Sequence, residues 1–221
     1  NEKNEPIPLI AKEIPSVANG GISADGKTIT YKLREDVKWS DGELLTAEDY
    51  VFTWQMFMAD KNTVSSRDPF DVFVEKVEAP DKYTLVVTFT EPYAPWQCKI
   101  FSNVNTTNAI PKHILEPIFA KEGTLDNADW NRNPTVGVGP FLLSEWQSGS
   151  HLIFSANPNY HLGRPKVDQI FIKIVPDDAA QVAAIKADDT DIGVFIAYSD
   201  MPDLQKLGTV DLVKVQSGYK E

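Results

Sequence analysis

The chain has 221 residues, 42% of them hydrophobic and 24% charged, which allows one large domain or two small ones with a buried core. Its net charge of −11, with basic residues scattered and outnumbered, argues against nucleic acid as a partner, since a phosphate-binding surface needs clustered cations. A single cysteine, Cys98, excludes an internal disulfide and a Cys-rich metal site.

No apolar run approaches the roughly 20 residues that span a bilayer. The first ten residues, NEKNEPIPLI, lack the basic start and apolar core of a signal peptide, which leaves a cytoplasmic protein or a processed chain. Pro6, Pro8, Pro15 and Gly20-Gly21 make the first twenty residues an extended lead-in rather than a helix. After the Asp25-Gly26 turn, Ile29, Tyr31 and Leu33 alternate with Thr28, Thr30 and Lys32, the period of a half-buried strand. Asp41-Gly42 marks a second turn. Thr46 and Asp49 then open a helix with capping-box spacing, and Ala47, Val51, Trp54 and Met58 define one of its faces. Two further strands are expected at Val72 to Val77 and Tyr83 to Thr90, joined by the polar turn EAPDK, with Tyr83, Leu85, Val87 and Phe89 on one side. A short helix starts at Pro111 and is expected to break or kink at Pro117. GTLDNADWNRNPT, polar and aperiodic, reads as the linker of the chain.

Beyond the linker the pattern changes. Phe141 to Trp146 and Leu152 to Ala156 form a hairpin around QSGS. From Val167 onward strand and helix alternate through VDQIFIKIV, PDDAAQVAAIKADD, TDIGVFIA, SDMPDLQKLG and VDLVKVQ. Such alternation predicts right-handed βαβ units and a mostly parallel sheet, hence a second lobe of α/β type.

Several chemistries can be weighed against these elements. Gly137 and Gly139 are followed by Pro140, which offers no amide, and then by a strand instead of a helix. That is the wrong context for a phosphate loop. The loop reads as a backbone crossing point where side chains would not fit. His113, His151 and His161 share no metal-ligand spacing. Ser148 and Ser150 flank Gly149 in a hairpin turn with no helix behind them, so no nucleophile elbow is present. The 32 acidic residues offer many accidental pairs, and none is singled out for hydrolysis. Trp39, Trp54, Trp96, Trp130 and Trp146 suit a peptide or sugar site, yet core packing explains most of them. In open α/β sheets ligands sit beyond the carboxyl ends of the parallel strands. Here that position is Phe195 to Asp200, which offers Phe195, Ile196, Tyr198 and Ser199, with Ser199 also placed to cap the following helix.

The segment DGKTITYKLREDVKWSDGELLTAEDYVFTW, Asp25 to Trp54, followed in order by NPTVGVGPFLLSEW, NPNY and PDDAAQVAAIKADDTDI, resembles the family 5 extracellular solute-binding proteins of peptide-type ABC importers. The resemblance implies a type II periplasmic-binding-protein-like α/β fold. Residues 1–132 would be a smaller α+β lobe with an antiparallel sheet, and 133–221 part of a larger mixed-sheet lobe, with Gly-Val-Gly-Pro crossing between them. Family members begin with an additional strand upstream of this chain and continue past Glu221 through a further lobe, so the chain resembles a middle segment. The implied function is capture of a peptide in the cleft between lobes and delivery to a membrane permease, without catalysis, cofactor or bound metal. An oligosaccharide receptor of the same fold is the alternative, and a hydrolase the weakest reading. The implied location is periplasmic or extracellular, compatible with a lipid anchor upstream of Asn1. A monomer is expected for the whole protein, with dimerisation of the isolated chain through its uncovered cleft face. The resemblance adds Phe70 and Phe73, in the loop after the first long helix, and Asn105 and Thr106, in SNVNTT, as ligand-facing candidates.

Overall fold

A computed structural model describes residues 6–102 and 108–213. The chain divides into two compact units, Asn1–Trp146 with Ile153–Ile170, and Gln147–Leu152 with Phe171–Glu221. The boundary expected at residue 133 lies inside the first of these.

The first unit is organised around a three-stranded antiparallel sheet in the order β1-β3-β2, formed by β1 (Thr28–Lys32), β2 (Val74–Asp81) and β3 (Thr84–Phe89). Ile29 lies opposite Val87 and Tyr31 opposite Leu85. The alternation written into β1 and β3 is the alternation that is buried: Ile29, Leu33, Leu85, Val87 and Phe89 are all core residues. Against them packs α1 (Ala47–Met58), whose first turn is closed by the Thr46 N–H donating to Asp49 Oδ2 at 2.8 Å. This helix serves two cores. Tyr50 joins the sheet-side cluster, with Val51, Trp54 and Met58 half-buried against it. Phe52 and Met56 turn the other way, onto Leu115 and Ala128. The expected face of α1 is therefore only one of its two apolar sides.

Three expectations in this unit need correction. Residues 70–73 form a helical turn, α2 (Phe70–Phe73), and the strand begins only at Val74. Phe70, Val72 and Val74 mimic strand alternation, but Phe70 and Val74 are buried while Val72 is exposed. EAPD is not a turn but the continuation of β2, because β2 is an edge strand. Pro80 there breaks no central ladder, and the register slips between Glu78 and Asp81 instead. Finally, α4 (Lys112–Glu122) runs through Pro117 without ending, and stops at Gly123, whose φ of +72° suits the left-handed cap. The short α3 (Trp96–Lys99) and a 3-10 turn (Asp129–Asn131) complete this part.

Downstream, β4 (Phe141–Gln147), β5 (His151–Ala156) and β6 (Gln169–Lys173) make a second three-stranded sheet in sequence order. The β5–β6 pairing is antiparallel, with Ala156 N bonded to Asp168 O and Ile174 N to Ser150 O. Two helices follow. The Asp177 side chain caps α5 (Asp178–Lys186) by accepting from Ala180 N at 2.7 Å, and α6 (Met201–Gln205) is anchored by the buried Leu204. The strands expected in TDIGVFIA and at the start of VDLVKVQ are not formed among the described residues, and neither is the parallel sheet they would build. A strand needs a ladder partner. The Val194 N–H instead takes the side-chain oxygen of Gln181 at 3.0 Å, and Gly193 lies flat against Ile185.

Candidate functional site

Residues 190–200 leave α5 and enter α6 as a loop pinned at its base. The Thr190 hydroxyl donates to Ile192 O, and the Asp200 N–H closes a turn on Ala197 O at 3.0 Å. A Cβ on Gly193 would fall 2.5 Å from Ile185 Cδ1, so a side chain there would have to displace Ile185. That close approach holds the loop on α5 and throws the next residues outward. Phe195 has φ +59°, a left-handed backbone conformation rare for a large side chain and costing on the order of 1 kcal/mol or more. Phe195 is 98% exposed and Tyr198 78% exposed, although both are large aromatics.

The eight candidates divide cleanly. Phe195, Tyr198 and Ser199 are exposed together on this one loop, and Ile196 is half-buried beside Gly193. Ser199 does not cap α6; the N-cap position is Asp200, with no side-chain cap bond. Phe70 is a core residue, 1% exposed, with its ring 5.6 Å from that of Phe57 and 5.5 Å from that of Phe101. Its surface is spent on packing and is closed to a ligand. Phe73 is half-buried and stacks on Tyr93 at 4.4 Å. Asn105 and Thr106 lie outside the described residues.

The Gly137-Val138-Gly139-Pro140 segment is held by groups that the motif reading had not connected. The Ser40 N–H donates to Gly137 O at 3.0 Å, and Ser40 Oγ accepts the Gly137 N–H at 3.3 Å. Asn157, from NPNY, donates its N–H to Pro140 O at 2.8 Å and its Nδ2 to Gly139 O at 2.9 Å. The Gly137 amide, which a phosphate would need, is thus already engaged. Steric exclusion of side chains is not the reason for the glycines: a Cβ on Gly137 would meet Leu142 Cδ2 at 3.4 Å, and one on Gly139 would meet Phe141 O at 3.6 Å. The signal for these ties lay in the SDG and NPNY blocks, which look like plain turns until folded.

The turn that carries Ser40 also carries charge. Asp41 Oδ2 lies 2.8 Å from His113 Nε2, and the Trp39 and His113 rings are 6.0 Å apart. Partial burial raises the Asp41 carboxyl, but the His113 contact and the Glu43 N–H outweigh it and hold the carboxyl below its usual range. Asp49, nearly buried at the start of α1, goes the other way. Desolvation pushes it up, opposed by the N–H groups of Thr46 and Lys112. His151 stacks on Phe171 at 4.9 Å, and His161 Nε2 lies 3.2 Å from Leu9 O. Among the described residues no group of three or more His, Cys, Asp or Glu side chains is placed to hold a metal ion, and no helix is long and apolar enough to cross a membrane.

This architecture has close counterparts. Residues 5–220 match the model of the bacterial extracellular solute-binding proteins, family 5 Middle. The chain belongs to this solute-binding family. Protein XP55 of Streptomyces lividans is 33% identical over 184 residues, covering 83% of this chain and 31% of its own. The oligopeptide-binding protein AppA of Bacillus subtilis is 32% identical over 197 residues, 88% of this chain and 34% of its own. The structure of that AppA with a nonapeptide superimposes with a TM-score of 0.71 at 27% identity, over 89% of this chain and 36% of AppA. MoaA of A. tumefaciens R10, solved with mannopinic acid, gives a TM-score of 0.69 at 30% identity, over 85% of this chain and 35% of MoaA. This family 5 chain thus spans about a third of the length of the curated relatives it matches.

Proposed function

We propose that this chain is part of the substrate-binding component of an ABC importer. It captures short peptides between two lobes outside the cytoplasmic membrane and presents them to a permease. The likeness to the oligopeptide-binding AppA, in sequence and in its nonapeptide-bound structure, is the observation that carries the reading. Phe195 and Tyr198 serve as ligand-facing aromatics, consistent with large rings exposed on a loop whose backbone is held in a costly conformation. Affinity comes from main-chain hydrogen bonds to an extended peptide, with water filling roomy side-chain pockets so that many sequences are accepted. No chemical turnover of the cargo is part of this mechanism. Delivery to the permease follows from closure of the lobes, which changes the surface the permease meets.

A second reading, a small acidic sugar conjugate as cargo, is favoured by the likeness to MoaA. Calorimetry on the full-length protein separates the two. Peptides of two to nine residues are expected to bind with micromolar or tighter affinity, and Phe195→Ala and Tyr198→Ala to weaken binding about tenfold each, the loss of one well-packed aromatic contact. Titration by mannopinic acid or an oligosaccharide, with no peptide binding across a broad library, would replace the peptide reading with the second.

A further inference from the structure

The Val194 N–H finds its acceptor on another element. Gln181, near the start of α5, takes it on Oε1 at 3.0 Å. Ile185 lies one helical turn further along the same face and meets the residue before. A Cβ on Gly193 would fall 2.5 Å from its Cδ1 and 3.2 Å from its Cγ1. Two side chains of one helix face therefore hold two consecutive residues of the loop. The helix is a firm base for that grip. The Asp177 carboxylate caps it, Val182 beside Gln181 is buried, and the Ala187 N–H closes its last turn on Ala183 O at 3.0 Å.

Next in the chain comes Phe195, at φ +59° and almost fully exposed. A large residue keeps a left-handed backbone only where its surroundings over-determine it. Downstream, the Asp200 N–H closes a turn on Ala197 O, and Ile196 Cδ1 lies 3.2 Å from where a Gly193 Cβ would be. Upstream, the tie next to Phe195 is the one from Val194 to Gln181. It fixes the Gly193–Val194 peptide plane from which the chain enters the left-handed turn. Water can satisfy the same N–H, but it does not fix where that N–H points.

We propose that Gln181 is a positioning residue for the loop from Phe195 to Asp200. Through the Val194 N–H it sets the backbone that turns Phe195 outward, and it acts on cargo only through that ring. The inference rests on the proposed role of Phe195 as a ligand-facing aromatic, and adds the residue that aims it. Gln181 itself makes no contact with cargo in this scheme.

A double-mutant cycle on the full-length protein separates positioning from plain structural support. Gln181→Leu removes the acceptor and keeps an apolar side chain of similar bulk. Calorimetry with a short peptide that the unmodified protein binds should show about a fivefold loss of affinity, the worth of one modest hydrogen bond. In a Phe195→Ala background the same substitution should cost less than about twofold, because the ring it aims is gone. Gln181→Glu, which keeps an acceptor oxygen at the same reach, should bind within about twofold of the unmodified protein. Amide hydrogen exchange on the ligand-free protein gives a reading without cargo. The Val194 amide should open about fivefold more often in Gln181→Leu, while the Ala187 amide of α5 stays unchanged and shows the helix intact. Equal losses of affinity in both backgrounds, no loss in either, unaltered exchange at Val194, or faster exchange that includes Ala187 would overturn the proposal. If the unmodified protein binds no peptide, the peptide reading and the positioning role fall together. If it binds and the cycle shows no coupling, the positioning role alone falls.

Discussion

Asp41 and Asp49 sit eight positions apart and respond to folding in opposite directions. Asp49 is raised by burial, so its contribution is present below its unfolded value and is lost as pH rises through the folded one. Asp41 is depressed from 3.8 by His113 and the Glu43 N–H, against a raising effect of partial burial. The unfolded chain therefore binds the Asp41 proton more readily, and the stabilisation is present above 3.8 and lost as pH falls through the depressed folded value. Asp41→Asn keeps the shape and removes the charge. Urea midpoints at pH 6, 4 and 3 should show the parent ahead of the variant at pH 6, with its lead narrowing on acidification below 3.8. An advantage that holds constant or grows on acidification would mean that Asp41 contributes by packing alone. At this scale the sequence was informative about residue type and silent about partner. The SDG turn was visible, but its grip on His113, 72 residues away, depends on where α4 lies. Ser40 and Asn157 were illegible for the same reason, since a turn residue that bonds a distant backbone looks like one that bonds its own.

At the scale of elements, periodicity was most informative where burial is one-sided. β1 and β3 could be read because Ile29, Leu85 and Val87 all face one core. Helix α1 was half-legible. Its apolar residues fall on two faces because two clusters meet it, so no single stripe describes it. β6 forms inside the expected VDQIFIKIV although all five of its residues are exposed, so its strand type was legible without a buried face. The TDIGVFIA strand, by contrast, is not formed. Its residues have the β-branched composition of a strand, but Val194 finds its hydrogen-bond partner on α5. The unbroken α4 gives the testable case. Pro117 is exposed, lies inside a helix whose buried anchor is Leu115, and deprives the His113 carbonyl of its i+4 donor. Pro117→Ala restores that donor without touching the core, and an interior proline costs up to about 3 kcal/mol relative to alanine. Chemical denaturation should therefore show a gain of about 1–3 kcal/mol. No gain, or a loss, would show that the helix is already bent around Pro117 in a way its neighbours require.

For the molecule as a whole, the proposed ligand loop is exposed, but not for the reason the sequence suggests. Phe195 to Asp200 was selected as the carboxyl edge of a parallel strand, and that strand is not formed. What the structure offers in its place is a loop thrown outward by Gly193 against Ile185, with Phe195 and Tyr198 uncovered. Phe70 failed as a candidate because chain order alone cannot separate an aromatic that leaves the core from one that ends in it. The uncovered surface has a consequence for the 221-residue chain by itself. Phe171, Ile172, Ile192, Val194, Phe195 and Tyr198 are all exposed. In the full-length protein the proposed cleft needs two lobes, and this chain spans about a third of its relatives. The isolated chain should therefore fold its first unit, bind peptides at least about a hundredfold more weakly than the full-length protein, and self-associate if these side chains form one apolar surface. Calorimetry and sedimentation velocity on the same preparation test both halves. Micromolar peptide affinity in a chain that sediments as a monomer would show that the loop from Phe195 to Asp200 makes a complete site without an opposing lobe, and the two-lobed capture mechanism would have to be given up.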